Sequence, residues 1–423
     1  MRGRQGRKAI LFLAVACLAA ACSGGGESAA VTATPTPAAV TGEPAVPART
    51  SYLTEEDMET ANPWKQEKLS SIAAVMKKAA AGEDITIAVL GGSITQGTIS
   101  SGTRDAEVVG RECYAELFFD WWRETFPEIK VTVINAGIGG TDSYLGVHRV
   151  QQDVLEYHPD LVLLEYSVND GDSLSYKKSY DNLVRRILLS EDAPAVLLLF
   201  MAQTNGTSAQ NTHALIGFRY GLPMVSYKNL MEKLMESERF TAEELSGDVS
   251  HPSVLGHAIV GEMLWRYLNE IYTARDTYEE PTPFQEKALT KESYLNSTLL
   301  GSHEITPEEL GSFTEREQDP LGIWNGVWTT TDGDGGLRFT VTCKSIGVLF
   351  YRTTSARMGR YEVLVDGVSR AYLDAYFQNG WGSYAYSQEI FSSDETATHE
   401  IVIRKAEGSE GDDFTLLRLL LSY

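Results

Sequence analysis

The chain has 423 residues, long enough for two domains, and its 43% apolar content can supply sizeable buried cores. A formal net charge of −22 argues against nucleic acid or an anionic membrane surface as a partner and fits an exported soluble body. Of four cysteines only Cys113 and Cys343 lie beyond the first 22 residues; a bridge between them is open but not implied, and buried free thiols are the expected reading.

The N-terminus reads as an export signal. Arg2, Arg4, Arg7 and Lys8 precede the apolar run Ala9–Ala21, which is too short to cross a bilayer comfortably. The run ends Ala19-Ala20-Ala21-Cys22 and meets Ser23-Gly-Gly-Gly26. This is similar to a bacterial lipoprotein signal, with Ala19 where leucine is commoner. It implies lipidation at Cys22 and a surface address, with membrane contact only through that anchor. The alternative is an ordinary cleaved secretory signal. Residues 23–53, with Thr34-Pro-Thr-Pro37, read as a disordered spacer.

Residues 54–82 predict a helix with Leu69, Ile72, Val75 and Met76 on one face, ended by Gly82. Strands and helices then alternate. Strand Ile85–Leu90 is followed by helix Cys113–Thr125, whose apolar side is Leu117, Phe118, Trp121 and Trp122. Strand Lys130–Asn135 leads to helix Gly146–Tyr157, and strand Leu161–Tyr166 to helix Ser179–Leu189. Strand Ala195–Met201, a weak strand Met224–Tyr227, helix Asn229–Glu238 and an amphipathic closing helix Gly256–Tyr272 complete the region. Near-continuous apolar strands separated by helices predict a parallel sheet covered on both faces. In such sheets the ligand site lies beyond the carboxyl ends of the strands.

The unusual loops fall at those ends. Gly91-Gly92 breaks the first strand and presents Ser93. The second strand ends in Asn135-Ala-Gly-Ile-Gly-Gly140, the third in Ser167-Val-Asn-Asp170, and Asp248-Val-Ser-His251 precedes the closing helix. An acyl-transfer enzyme needs a nucleophile, a base and donors for the oxyanion. A serine hydroxyl is a poor nucleophile until a histidine takes its proton. A carboxylate orients that histidine, and Asp248 lies three residues before His251, where a tight turn can bring it onto the imidazole. The bare backbone N–H of Gly140 and the amide of Asn169 suit the oxyanion.

These four stretches resemble the blocks of the SGNH hydrolases, the GDSL-type esterase family, over roughly residues 62–275. The resemblance implies a three-layer, flavodoxin-like α/β/α domain with Ser93 as nucleophile, Asp248 and His251 as its partners, and the Ser93 N–H, Gly140 and Asn169 as oxyanion donors. Two positions depart from the pattern. Gly92 stands where aspartate is usual, and Val168 where glycine or threonine is usual. Other histidines are weaker candidates for the base: His148, His158 and His213 lack an Asp-x-x partner, and His257 sits on the closing helix. Asp142 and Asp170 read as loop-holding. There is no His-Glu-x-x-His spacing, and the glycines at 137–140 lack the lysine of a phosphate loop. No metal and no cofactor are expected.

Residues 276–312, rich in Pro, Glu and Thr, read as a connector. From 313 the texture turns to short strands: Leu337–Thr342, Ile346–Tyr351, Tyr361–Val365, Thr398–Arg404 and Phe414–Leu421, with Asp366-Gly367 as a hairpin turn. They predict a jelly-roll or β-sandwich, similar to the modules attached to bacterial carbohydrate esterases. Trp324, Trp328, Trp381, Tyr384 and Tyr386 are candidates to stack on sugar rings, against packing roles for most of them. The expected function is an exported serine esterase acting on a small-molecule or polysaccharide ester, with O-acetyl groups favoured by the architecture. Alternatives are a lipid or aryl esterase, a thioesterase, or a non-catalytic sugar-binding lipoprotein.

Overall fold

The structure is a computed structural model and describes residues 51–64, 69–99 and 112–423. The signal, Cys22 and most of the spacer lie outside the described residues. Among the described residues no helix is long and apolar enough to cross a membrane.

Five strands, β1 (Ile85–Gly91), β2 (Val131–Gly137), β3 (Leu161–Glu165), β4 (Ala195–Phe200) and β5 (Met224–Ser226), form one parallel sheet in the order β2-β1-β3-β4-β5. That order is the flavodoxin-like one. Successive strand side chains point to opposite faces. Ile87, Val89, Leu163 and Leu197 therefore enter one core, and Ala88, Leu90, Val162 and Leu198 the other. The first face is covered by α2 (Ser70–Ala80), α4 (Tyr114–Thr125), α8 (Tyr227–Glu236) and α10 (Val254–Ala274), with α1 (Glu55–Ala61) beside them. The second is covered by α5 (Ser143–Asp153), α6 (Leu174–Leu188) and α7 (Gln210–Tyr220). The short helices α3 (Ser93–Gln96) and α9 (Ala242–Leu245) lie in loops.

Several boundaries differ from expectation for identifiable reasons. The single helix expected over 54–82 is two helices, because Asn62 ends the first and Pro63 cannot continue it. Helices α5 and α6 begin earlier than their apolar periodicity suggests. Their N-caps are Asp142 and Ser173, whose side chains accept from the N–H groups of Leu145 and Tyr176. Helix α7 was not anticipated: Gln210-Asn-Thr-His carries little apolar pattern, and Gly221 at φ +64° ends it.

The C-terminal part is an antiparallel β-sandwich built on one eight-stranded sheet. Its strands are β6 (Ser297–Leu300), β7 (Thr314–Gln318), β8 (Asn325–Thr330), β9 (Gly336–Arg352), β10 (Arg360–Val365), β11 (Val368–Asp374), β12 (Tyr384–Lys405) and β13 (Phe414–Ser422). The order is β11-β10-β12-β9-β13-β8-β7, with β6 on β13. The expected strands 337–342 and 346–351 are halves of β9, and 398–404 is the end of β12. Register shifts between Glu389 and Phe391 and between Ser392 and Ala397 carry those long strands round the sandwich. Asp366 and Gly367 both have positive φ, as the tight β10–β11 hairpin requires.

The stretch expected as a connector contributes β6 to this sheet. It also brings buried Tyr294 and Leu299 into the second core. Leu349, Ala385, Leu417 and Leu420 of the sandwich join Tyr144, Leu145 and Val147 of α5 in that same core. The two folds thus share one apolar interior, which fixes the sandwich against the helix that follows the Gly140 loop. Cys113 and Cys343 are free and buried, as expected.

Candidate active site

The carboxyl ends of β1, β2 and β3 and the loop before α10 meet around one cavity of about 460 Å³. Ser93, Gly140, Asn169, Asp248 and His251 all line it, with Gln203 and Trp381. Ser93 opens the one-turn helix α3. Its Oγ lies 2.9 Å from His251 Nε2. His251 Nδ1 lies 2.8 Å from Asp248 Oδ2, while Asp248 Oδ1 accepts the N–H groups of Ser250 at 2.7 Å and His251 at 2.6 Å. The Asp-x-x-His spacing thus closes one tight turn. Ser246 ties it from below by donating to the Asp248 carbonyl at 2.6 Å. With a carboxylate on Nδ1, that nitrogen carries the proton and Nε2 is free to accept from serine. Partial burial opposes the charge on Asp248, but the hydrogen bonds from His251 and Ser250 outweigh it and hold its carboxyl below the usual range.

Gly140 has φ +73°, which disfavours any side chain, and a Cβ there would sit 3.2 Å from Tyr384 Cβ and 3.3 Å from Trp381 Cη2. The sandwich therefore closes directly over this loop. Gly139 N–H donates to Gln96 Oε1 at 3.0 Å, and Asn135 Nδ2 to the Thr95 carbonyl at 2.9 Å, tying the second loop to the first. Gly92 answers its departure from the family pattern. A Cβ on it would fall 2.2 Å from Asn169 Oδ1, so the Asn169 amide occupies the space a side chain at 92 would need.

With no aspartate at 92, the serine loop is held from beneath. Buried Arg149 donates to the Gly91 carbonyl at 3.1 Å and to Tyr166 Oη at 2.9 Å. Thr95 Oγ1 and Tyr114 Oη are 2.6 Å apart, and the fully buried carboxyl of Glu165 lies next to them. Burial raises Glu165 from 4.5 to about 7. Asp142, the cap of α5, is raised to about 6 by burial and by the charge of Asp170.

The remaining histidines sit elsewhere. Burial lowers His148 to about 3, with its Nδ1 2.8 Å from the Tyr144 carbonyl. His257 is buried against Tyr114 and lowered to about 4. His158 pairs with Asp192 in an exposed position away from Ser93. His213 does have an aspartate, Asp170, 43 residues away in sequence. Among the sugar-stacking candidates, Trp324 and Trp328 are corrected: they are 5% and 0% exposed and pack in cores. Trp381 is 70% exposed and lines the cavity, with Tyr384 beside it. Gln203 is a cavity residue missed from the sequence. It lies just past β4, and its Nε2 donates to Ser250 Oγ at 3.1 Å; its place at a strand's carboxyl end was the available signal. Among the described residues no three His, Cys, Asp or Glu side chains are grouped to hold a metal ion.

A catalytic fold of the SGNH type is thus defined by both topology and site. The chain belongs to the GDSL-like lipase/acylhydrolase family, whose model matches residues 89–259, and it is an ester hydrolase. A solved two-domain esterase (CEX), active on acetylated mannans, is 32% identical with TM-score 0.78, covering 86% of this chain and 98% of that one. Its structure co-crystallized with mannopentaose gives 32% identity and TM-score 0.77, covering 86% and 97%. No functionally curated protein sequence matches this one significantly.

Proposed function

We propose that this protein is an exported serine esterase that removes O-acetyl groups from a polysaccharide. Ser93 Oγ attacks the ester carbonyl while His251 Nε2 takes its proton. Asp248 holds the imidazole and stabilises its cation. The N–H groups of Ser93 and Gly140 and the Asn169 amide receive the oxyanion, each donor worth on the order of 10²–10³ in rate. Collapse expels the sugar alkoxide, protonated by His251, and leaves an acetyl-serine. Water, deprotonated by the same nitrogen, then releases acetate.

The observation that carries this reading is the unbroken contact from Ser93 Oγ through His251 to Asp248, at 2.9 and 2.8 Å. The acyl group and glycan are inferred from the similarity to the acetylmannan-active esterase and from Trp381 at the rim. Export and lipidation at Cys22 rest on residues 1–26 alone. The test is acetate release from a panel of acetylated glycans. The native protein should release acetate and Ser93→Ala should lose it by several orders of magnitude. Equal release by both would remove the mechanism, and faster cleavage of octanoyl than acetyl esters would favour a lipid esterase.

A further inference from the structure

We propose that the buried Asp170–His213 pair is a positioning unit that fixes the two oxyanion donors, Gly140 and Asn169, relative to each other; this rests on the oxyanion reading above. Asp170 follows Asn169, and its side chain is wholly buried, as is that of His213. Asp170 Oδ1 accepts the N–H of Ser143 at 2.9 Å. Ser143 is the first residue of α5, three positions past Gly140. Asp170 Oδ2 lies 2.9 Å from His213 Nε2. One carboxylate therefore joins the loop that carries one donor to the turn that carries the other. Within that turn the N–H groups of Asn169 and Asp170 donate to the Tyr166 carbonyl, at 3.1 and 2.9 Å.

His213 sets the direction of the carboxylate. Its ring stacks on Tyr180 with centroids 3.5 Å apart and planes within 4°. Its Nδ1 is buried without a hydrogen-bond partner. A carboxylate oxygen accepts, so the Nε2 that faces Asp170 carries the proton and donates to it, and Nδ1 is the bare acceptor nitrogen. A pair buried this deeply adds little net stability. What it supplies is geometry, and a small displacement of an oxyanion donor costs rate rather than binding.

The test is a double-mutant cycle in the full chain, read with 4-nitrophenyl acetate. Asp170→Asn keeps the shape but turns an amide N–H toward the His213 N–H. It should lower kcat by roughly 10- to 100-fold with KM within about twofold. Added to Asn169→Ala, the same change should cost less than about threefold, because what Asp170 holds is the placement of the two donors relative to each other, and one of the two is then gone. His213→Leu should reproduce the loss, and His213→Gln, which keeps a donor toward Oδ2, should recover most of it. That pair decides the matter if Asp170→Asn does not fold. The proposal is overturned if Asp170→Asn costs the same factor in both backgrounds, or if His213→Gln is as slow as His213→Leu. If Asn169→Ala itself leaves kcat unchanged, the oxyanion reading is what fails.

Discussion

Glu165 is a carboxyl group stored under the serine loop, and replacing it should change how stability depends on pH. Its side chain accepts from the Ser167 N–H and Oγ, both at 3.1 Å, and is fully buried. Burial, aided by the charge of Asp170, lifts it from 4.5 to about 7. Because the folded value lies above the unfolded one, the folded chain keeps a proton that the unfolded chain has released. The stability that Glu165 contributes is thus fully present below about pH 4.5 and is lost as pH rises through about 7. At about 1.4 kcal/mol per pKa unit, the shift corresponds to about 3 kcal/mol between those limits. For a cooperative body of this size that is roughly 4 °C in Tm. Glu165→Gln keeps an acceptor for Ser167 and cannot ionise. Calorimetry of both proteins from pH 4.5 to 8.5 should show the variant gaining on the native protein as pH rises, with the gap levelling off above about pH 8. Asp142 titrates in both proteins and cancels. A Tm difference that stays constant across that range would refute the reasoning.

Two further outcomes follow from the same geometry. Gly92→Ala places a methyl 2.2 Å from Asn169 Oδ1, so the amide must move. Steady-state kinetics should show kcat falling by on the order of 10²–10³, as for loss of a donor, with a much smaller effect on Tm. Retention of kcat within about twofold would mean Asn169 does not act from this position. Trp381→Ala removes an exposed indole from the cavity rim. It should raise KM for an acetylated manno-oligosaccharide by roughly tenfold, and raise it far less for a small aryl acetate, since only the glycan can stack on it. Equal changes for both substrates would assign Trp381 to shaping the Gly140 loop instead.

The site was legible in the sequence to the extent that it is local. Asp248 and His251 are three residues apart, and a single turn suffices to join them. Ser93, Gly140 and Asn169 each follow an apolar strand, and a parallel sheet gathers such loops at one edge whatever the details of packing. Residues far apart in sequence were harder to read. His213 looked unpartnered because Asp170 reaches it only when α7 packs beside the third strand's loop. The role of Gly92 was equally hidden, since it is defined by the Asn169 side chain that fills its space.

The aromatic residues of the C-terminal part mark the same boundary. Composition and strand texture identified a β-sandwich, because alternating short-range patterns report secondary structure directly. They did not separate Trp328, wholly buried beside Phe339, from Trp381, which leans over Gly140. Exposure is a property of what packs against a side chain, and those partners come from other strands. The chemistry on offer, and the loops that carry it, follow from the order of residues along the chain. That the sandwich shares a core with α5, and so brings an indole to the rim of the serine's cavity, emerges from the packing of the two folds. That outcome depends on long-range apolar packing, which no local pattern encodes.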